Sequence, residues 1–359
     1  MYQLFRNKVL IGVILYLIPF GCSFLIFRLF SFIIEPAHSI ENAIYAYCIY
    51  IILLLLSFIG GYWVARSGKQ RSWWVKFFFA LIAIFQFLPV TFLAIIGAFC
   101  IYVNAKFGSK YSKFGCTVTA ILAAVSAFSL MLFIVEKGNI KTSRNISKAI
   151  FVINHLSSGD YFIAAMLAMF RNWRVMIGAN LWKIKIFHWF FDAVGIPIER
   201  ERDREAAQKR EEAVEDSKMF LHHNHKAILE IFAQGTRERN PKKGVTGFKK
   251  GAFRIACDLE YDVVPVIIIG TDRWRSPWIQ DTTTQKGKKQ NIFKLAQGFI
   301  YQFFKTGINP TIATVVHGNP ISSKGKTPEK LCAEVESIMN LMYLHYTTPR
   351  KKRRNRRSI

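Results

Sequence analysis

The distribution of apolar residues constrains this chain more than any other feature. Four long stretches with almost no charge, residues 9–34, 43–65, 77–103 and 116–135, fall before residue 136, and none of that length follows. Each approaches or exceeds the ~20 residues that a helix needs to cross the hydrocarbon core of a bilayer. At 52% hydrophobic residues, with 32 phenylalanines in 359 positions, the chain is more apolar than an ordinary water-soluble domain. The sequence therefore predicts an all-α polytopic transmembrane region over 1–136 with about four helices, followed by a domain of another kind. The first stretch runs on through bulky Phe24 to Phe32 with no small-residue cleavage site, so it reads as an uncleaved helix. Arg28 sits near the end of that stretch, where its long side chain can reach the interface.

Arg6 and Lys8 precede the first stretch, and Arg66, Lys69, Arg71 and Lys76 fill the second loop. The positive-inside rule then places the amino terminus, that loop and everything from residue 137 onward on the cytoplasmic face of a multi-pass protein. Lys106, Lys110 and Lys113 fall on the opposite side in this topology, which leaves room for one re-entrant or surface-lying segment. A bacterial inner membrane and an endoplasmic reticulum fit equally well. The six cysteines show neither paired nor metal-ligand spacing.

Of the net charge of +26, most belongs to the second half: 39 basic against 20 acidic residues after position 136, compared with 10 against 3 before it. Such a surplus favours anionic partners. The last segment, 347–359, contains Arg350, Lys351, Lys352, Arg353, Arg354, Arg356 and Arg357 and reads as a disordered basic tail. Beside a membrane its natural partner is anionic lipid.

Residues 137–346 alternate short apolar runs with helical patterns, as expected of an α/β domain with a largely parallel central sheet and flanking helices. Strands are expected over 149–154, 174–178, 195–198, 227–232, 263–269 and 311–316. The segment 202–223 mixes acids and bases at a helical spacing that starts from Glu201 just before it and runs through Glu205 and Lys209, and it reads as a solvated helix. His222, His223 and His225 cluster at its end, but no acidic or thiol ligand stands at a suitable distance for a metal.

Asn154-His155-Leu156-Ser157-Ser158-Gly159-Asp160 places a histidine and an aspartate five apart at the end of an apolar, β-branched run. A histidine oriented by a carboxylate can take a proton from a hydroxyl near neutral pH. Alone, the same spacing suits a structural histidine. On one ideal helix, positions five apart diverge by about 140°, so His155 is expected before a helix, Asp160 in its first turn, and Ser157 or Ser158 as the cap.

Three further segments follow in order: Gly195 to Arg200, then Gln234-Gly235-Thr236-Arg237, then Val263-Val264-Pro265-Val266. With His155 and Asp160 these resemble the four ordered blocks of the glycerolipid acyltransferase superfamily, the 1-acylglycerol-3-phosphate and lysophospholipid acyltransferases. Phe248 to Ala252 and His317 to Ile321 support the match, which covers roughly 146–345. The resemblance implies a membrane-bound O-acyltransferase that moves a fatty acyl group from an acyl thioester, acyl-CoA or acyl carrier protein, to the free hydroxyl of lysophosphatidic acid or a related lysophospholipid. It implies His155 and Asp160 as the general base pair, with no cofactor beyond the thioester co-substrate. Arg200, Gln234, Gly235, Thr236 and Arg237 would meet the acceptor phosphate, and Asn154, Gly195 and Pro265 would shape the pocket.

The residue chemistry agrees. An activated thioester needs only a base for the attacking hydroxyl and correct positioning. Arginines suit phosphate through their forked donors, while Gly235 and Thr236 offer a tight turn, an amide and a hydroxyl. Arg202 could replace Arg200 on the same strand face. Two departures from the family stand out: Gln234 occupies the place of a glutamate, and the second block is one residue short between glycine and arginine. The competing reading is a non-enzymatic polytopic membrane protein whose basic cytoplasmic domain binds anionic lipid or nucleic acid. It accounts for the charge but not for the ordered blocks.

Overall fold

The computed structural model describes residues 56, 59–67, 72, 74–79, 113–157, 159–179, 182, 188–199, 203–224, 226–238, 244–274 and 309–348. The expected span 9–34, most of 43–65 and 77–103, Ser158, Arg200, Arg202, His225 and the tail after residue 348 lie outside them. Among the described residues no helix is long and apolar enough to cross a membrane.

The fourth apolar stretch is corrected by the structure. Residues 116–135 are not one span: they divide into helix α1 (Lys113–Ser129) and strand β1 (Leu132–Gly138). A helix that is apolar on all sides can be buried in a protein as readily as in lipid. Here Cys116, Ala120, Ala124, Val125 and Ala127 are buried, and Met131 at φ 56° turns the chain into β1. The expected boundary at 136/137 thus cuts through an element of the α/β domain.

Among the described residues seven strands form one sheet in the order β1-β7-β6-β2-β5-β3-β4. The others are β2 (Ala149–Ile153), β3 (Asn172–Gly178), β4 (Gly195–Ile198), β5 (Ala227–Phe232), β6 (Val263–Ile269) and β7 (Thr311–His317). β6, β2, β5, β3 and β4 are parallel, β7 is antiparallel to β6, and β1 is parallel to β7. Every residue of β2 and β5 is buried, as both faces of a central parallel strand require.

Helices cover both faces. α1 and α3 (Asp160–Leu167) pack on one, where Phe151, Ile153, Ile163 and Ala164 share a core. On the other lie α5 (Arg204–His223), α6 (Gly251–Leu259) and α7 (Pro328–Thr347), around Ile150, Val152, Phe220, Phe253 and Val335. Two short helices, α2 (Ile140–Asn145) and α4 (His188–Val194), lie between these elements along the chain.

Local chemistry sets these boundaries. Asp203 caps α5 by accepting from the Ala206 amide at 2.7 Å, and Lys209 pairs with Glu205 at 2.6 Å on its wet face. Thr327 caps α7, with Pro328 in its first turn and Leu331, Val335, Met339 and Tyr343 repeating every four residues on the buried side.

Because β1 and β7 run opposite to the other strands, β1 begins at the carboxyl end of β2, β5 and β6. The chain therefore arrives from α1 beside the His155 loop: Trp274 donates from Nε1 to the Leu130 carbonyl at 2.8 Å, and its ring lies over Gly159. Helical pieces at 59–66 and 74–79 pack on the same corner, with Ala65 and Phe79 in the core and Tyr62 edge-on to Phe133. They leave Leu56, Trp63, Trp74 and Phe78 exposed.

Candidate active site

β2 ends at Ile153, and the next residues form a loop before α3 begins at Asp160, as the divergence of positions five apart requires. The expected serine cap does not form. Gly159 is the cap residue, and the Ser157 hydroxyl instead accepts from the Gly159 amide at 3.1 Å. The consequence is a loop tight enough to bring the two side chains together: His155 Nδ1 lies 2.9 Å from Asp160 Oδ2, with the side chains 5% and 0% exposed.

The carboxylate is saturated with donors. Oδ2 also accepts from the amides of Leu156 at 2.6 Å and Ser157 at 2.8 Å, and Oδ1 accepts from the Thr271 hydroxyl at 2.6 Å. A buried acceptor-only group is tolerated when its lone pairs are filled in this way. With Nδ1 engaged, Nε2 is the ring nitrogen left to exchange a proton with a hydroxyl. Phe232 (4.5 Å between centroids, 32°) and Tyr161 (5.3 Å, 74°) wall the imidazole with apolar surface.

Two carboxamides fix the surrounding main chain. Asn154, wholly buried, donates to the Ile268 carbonyl at 2.9 Å and accepts from the Ile268 amide at 2.6 Å, extending the β2–β6 pairing by one side chain. Gln234 accepts from the His155 amide at 3.1 Å and donates to the Thr246 carbonyl at 3.3 Å. Gly235, at φ 69°, closes a tight turn with its own amide on the Phe232 carbonyl at 2.9 Å, so that amide is spent within the turn. Thr236 is exposed, Arg237 half-buried, and the Glu238 amide donates to the His155 carbonyl at 2.8 Å.

The structure thus gathers the first block, the turn after β5 and the end of β6 around His155. Gly195 opens β4, two strands beyond β5, where a Cβ would collide with Trp182 and the Phe191 carbonyl. Pro265 lies within β6, and its carbonyl accepts from the Gly318 amide at 2.8 Å. Gly195 is half-buried on the edge strand, and Pro265 is buried level with Val152 of β2. Lys250 pairs with Glu329 at 2.9 Å, an exposed pair of little energetic weight. Among the described residues no group of three histidine, cysteine or acidic side chains could hold a metal.

Sequence reasoning missed two buried polar residues. Thr271 is the first residue of a 3-10 turn (Thr271–Arg273) after β6, and nothing local links it to Asp160. Glu230, on the same face of β5 as Phe232, is fully buried, and neither carboxyl oxygen has a hydrogen-bond partner among the described residues. Burial pushes its carboxyl well above the ordinary value, against a smaller downward pull from Arg171. The short apolar run around Glu230 predicted the strand and gave no reason to single it out.

Comparison with known proteins converges on one family. Residues 134–269 match the family model described as Acyltransferase. The chain is 26% identical over 150 residues to the chloroplastic 1-acyl-sn-glycerol-3-phosphate acyltransferase LPAT1 of Arabidopsis thaliana, covering 40% of this chain and 39% of that protein. It is 26% identical over 180 residues to an uncharacterized acyltransferase of Schizosaccharomyces pombe, covering 50% and 62%. In each case the match spans less than two thirds of the relative's length. The crystal structure of the 1-acyl-sn-glycerophosphate acyltransferase PlsC from Thermotoga maritima superimposes with a TM-score of 0.54 at 19% identity, over 76% of this chain and 96% of that one, which establishes the shared fold. Model, relatives and fold agree with the ordered blocks: the similarity of this chain to known proteins lies with the acyltransferases, over residues 134–269 in the family model.

Proposed function

We propose that the chain transfers a fatty acyl group from an acyl thioester, acyl-CoA or acyl carrier protein, to the free hydroxyl of lysophosphatidic acid or a related lysophospholipid. The observation that carries this reading is the buried His155–Asp160 pair at 2.9 Å. His155 Nε2 takes the proton as the acceptor oxygen attacks the thioester carbonyl. Asp160 keeps the Nδ1–H pointed at itself and stabilises the imidazolium. Collapse of the tetrahedral adduct breaks the carbon–sulfur bond, and the imidazolium returns its proton to the departing thiolate, giving an ester and a free thiol. The thioester is a co-substrate, and no resident cofactor is needed for the step.

The acceptor phosphate is assigned to Thr236 and Arg237 on the turn after β5, with Arg200 from the second block. Main-chain hydrogen bonds tie that turn to the His155 loop, so an anion held there is presented beside the base. Exposed Trp63, Trp74 and Phe78 on the corner where the chain enters, together with the basic surplus, support a protein seated at a membrane surface where both lipid substrates reside.

The test is product identification by mass spectrometry after purified protein is supplied with mixed lysolipids and acyl thioesters. The reading expects phosphatidic acid or a related diacyl lipid, with its chain preference visible in the same spectrum. Binding of lipid or nucleic acid that weakens with salt, with no new ester formed, would favour the non-enzymatic alternative.

A further inference from the structure

Asp160 is held from two directions. Three donors on Oδ2 come from its own loop: the His155 ring and the amides of Leu156 and Ser157. The fourth comes from 111 positions away, where the Thr271 hydroxyl meets Oδ1 at 2.6 Å with both residues at 0% exposure. Main-chain amides can only donate, so Oδ2 is an acceptor. Thr271 supplies the hydrogen bond assigned to Oδ1, and a side chain without a hydroxyl would leave that buried oxygen unfilled.

The turn that carries Thr271 is fixed on every side. The Asn154 carboxamide pins Ile268 three residues earlier. Gly270 then takes φ 97°, a left-handed conformation open to glycine, with the Ile312 carbonyl and Arg273 crowding the place of a Cβ. The Trp274 amide closes the turn on the Thr271 carbonyl at 3.0 Å, and its indole is anchored on Leu130.

We propose that Thr271 is a positioning residue for acyl transfer, acting through Asp160. Its hydroxyl locks the carboxylate in the rotamer that receives the His155 Nδ1–H. This role rests on the assignment of His155 and Asp160 as the base pair.

The experiment compares kcat and KM of the full chain carrying Thr271→Val, Thr271→Ser, Asp160→Asn and the Asp160→Asn/Thr271→Val pair, with His155→Ala as the control for the assignment. A hydrogen bond to a buried charge corresponds to about 10–100-fold in rate. Thr271→Val is therefore expected to lose that factor in kcat, with KM for the lysolipid changed by no more than about twofold. Thr271→Ser should return to within about threefold of wild type, and Thr271→Val should add nothing once Asp160 is asparagine. A Thr271→Val protein that melts like wild type and turns over like wild type overturns the proposal. So does a full additional loss in the Asp160→Asn background, or a serine variant as slow as the valine one. If valine prevents folding, Thr271→Ala removes the hydroxyl without added bulk and is judged by the same outcomes. His155→Ala at the wild-type rate would instead remove the base assignment itself, a result distinct from an inactive His155→Ala beside an unaffected Thr271→Val.

Discussion

Asn154 and Gln234 both use a carboxamide as if it were a further peptide unit, one end accepting and the other donating. For Gln234 this gives a physical sense to the departure from the family's glutamate. A carboxylate there would keep the His155 amide but set an oxygen against the Thr246 carbonyl at the 3.3 Å now spanned by Nε2. Gln234→Glu is expected to cost about 1 kcal/mol, a fall of about 2–4 °C in Tm. Calorimetry checks the first effect, and the acceptor profile of the same variant shows whether this position also sets headgroup choice. Glu230 carries a prediction with a pH signature. Its folded value lies above the ordinary 4.5 of the unfolded chain, so the folded protein holds a proton that the unfolded one releases. That cost to stability grows as pH rises above 4.5. Glu230→Gln should raise Tm by at least about 2–4 °C near pH 8, with the gain shrinking towards zero as pH falls to the unfolded value; melting curves across that range check the sign.

At the scale of elements, legibility followed the range of the signal. β4, β5 and β6 begin and end where the sequence places them, and β2, β3 and β7 differ by one or two residues, because each is a short apolar run bounded by turn residues. α1 and β1 were hidden because a buried helix running into a buried strand leaves an uncharged stretch as long as a membrane span. In the site, His155 and Asp160 were legible because their geometry lies within six residues of chain. Thr271 was not, since only the register of β2 against β6 brings its hydroxyl to Asp160. The same limit concealed the role of α7. Glu336 accepts from the consecutive amides of Gly247 and Phe248 at 3.0 and 3.1 Å, and Asn340 accepts from Val245 at 3.2 Å. With Gln234 holding Thr246 from the other side, this helix supports the loop that Gln234 links to the His155 amide. Glu336→Ala should speed hydrogen exchange at Gly247 and Phe248 by about 5–10-fold, an exposed pair being worth about 1 kcal/mol or a little more, and leave the protected amides of Leu156 and Ser157 unchanged. Exchange followed by mass spectrometry reads both sets at once.

For the whole molecule, the carboxyl end of the central strands β2, β5 and β6 gathers the base, its carboxylate, the turn after β5 and the corner where α1 enters. That corner also carries the exposed Trp63, Trp74 and Phe78. The charge is a property of the whole chain, +26, with seven basic residues between positions 350 and 357. Each basic residue near an anionic bilayer adds about 1 kcal/mol of attraction. Sedimentation with vesicles should show binding that rises with anionic lipid content, falls with salt, and weakens when residues 350–357 are removed. The central claim, that His155 and Asp160 work as one base for acyl transfer, is tested most directly by single-turnover acylation of lysophosphatidic acid by wild type, His155→Ala, Asp160→Asn and the double variant. His155→Ala is expected to lose about 10²–10⁴-fold, with little further loss when Asp160 is also changed. A His155→Ala protein that acylates at the wild-type rate would contradict the claim.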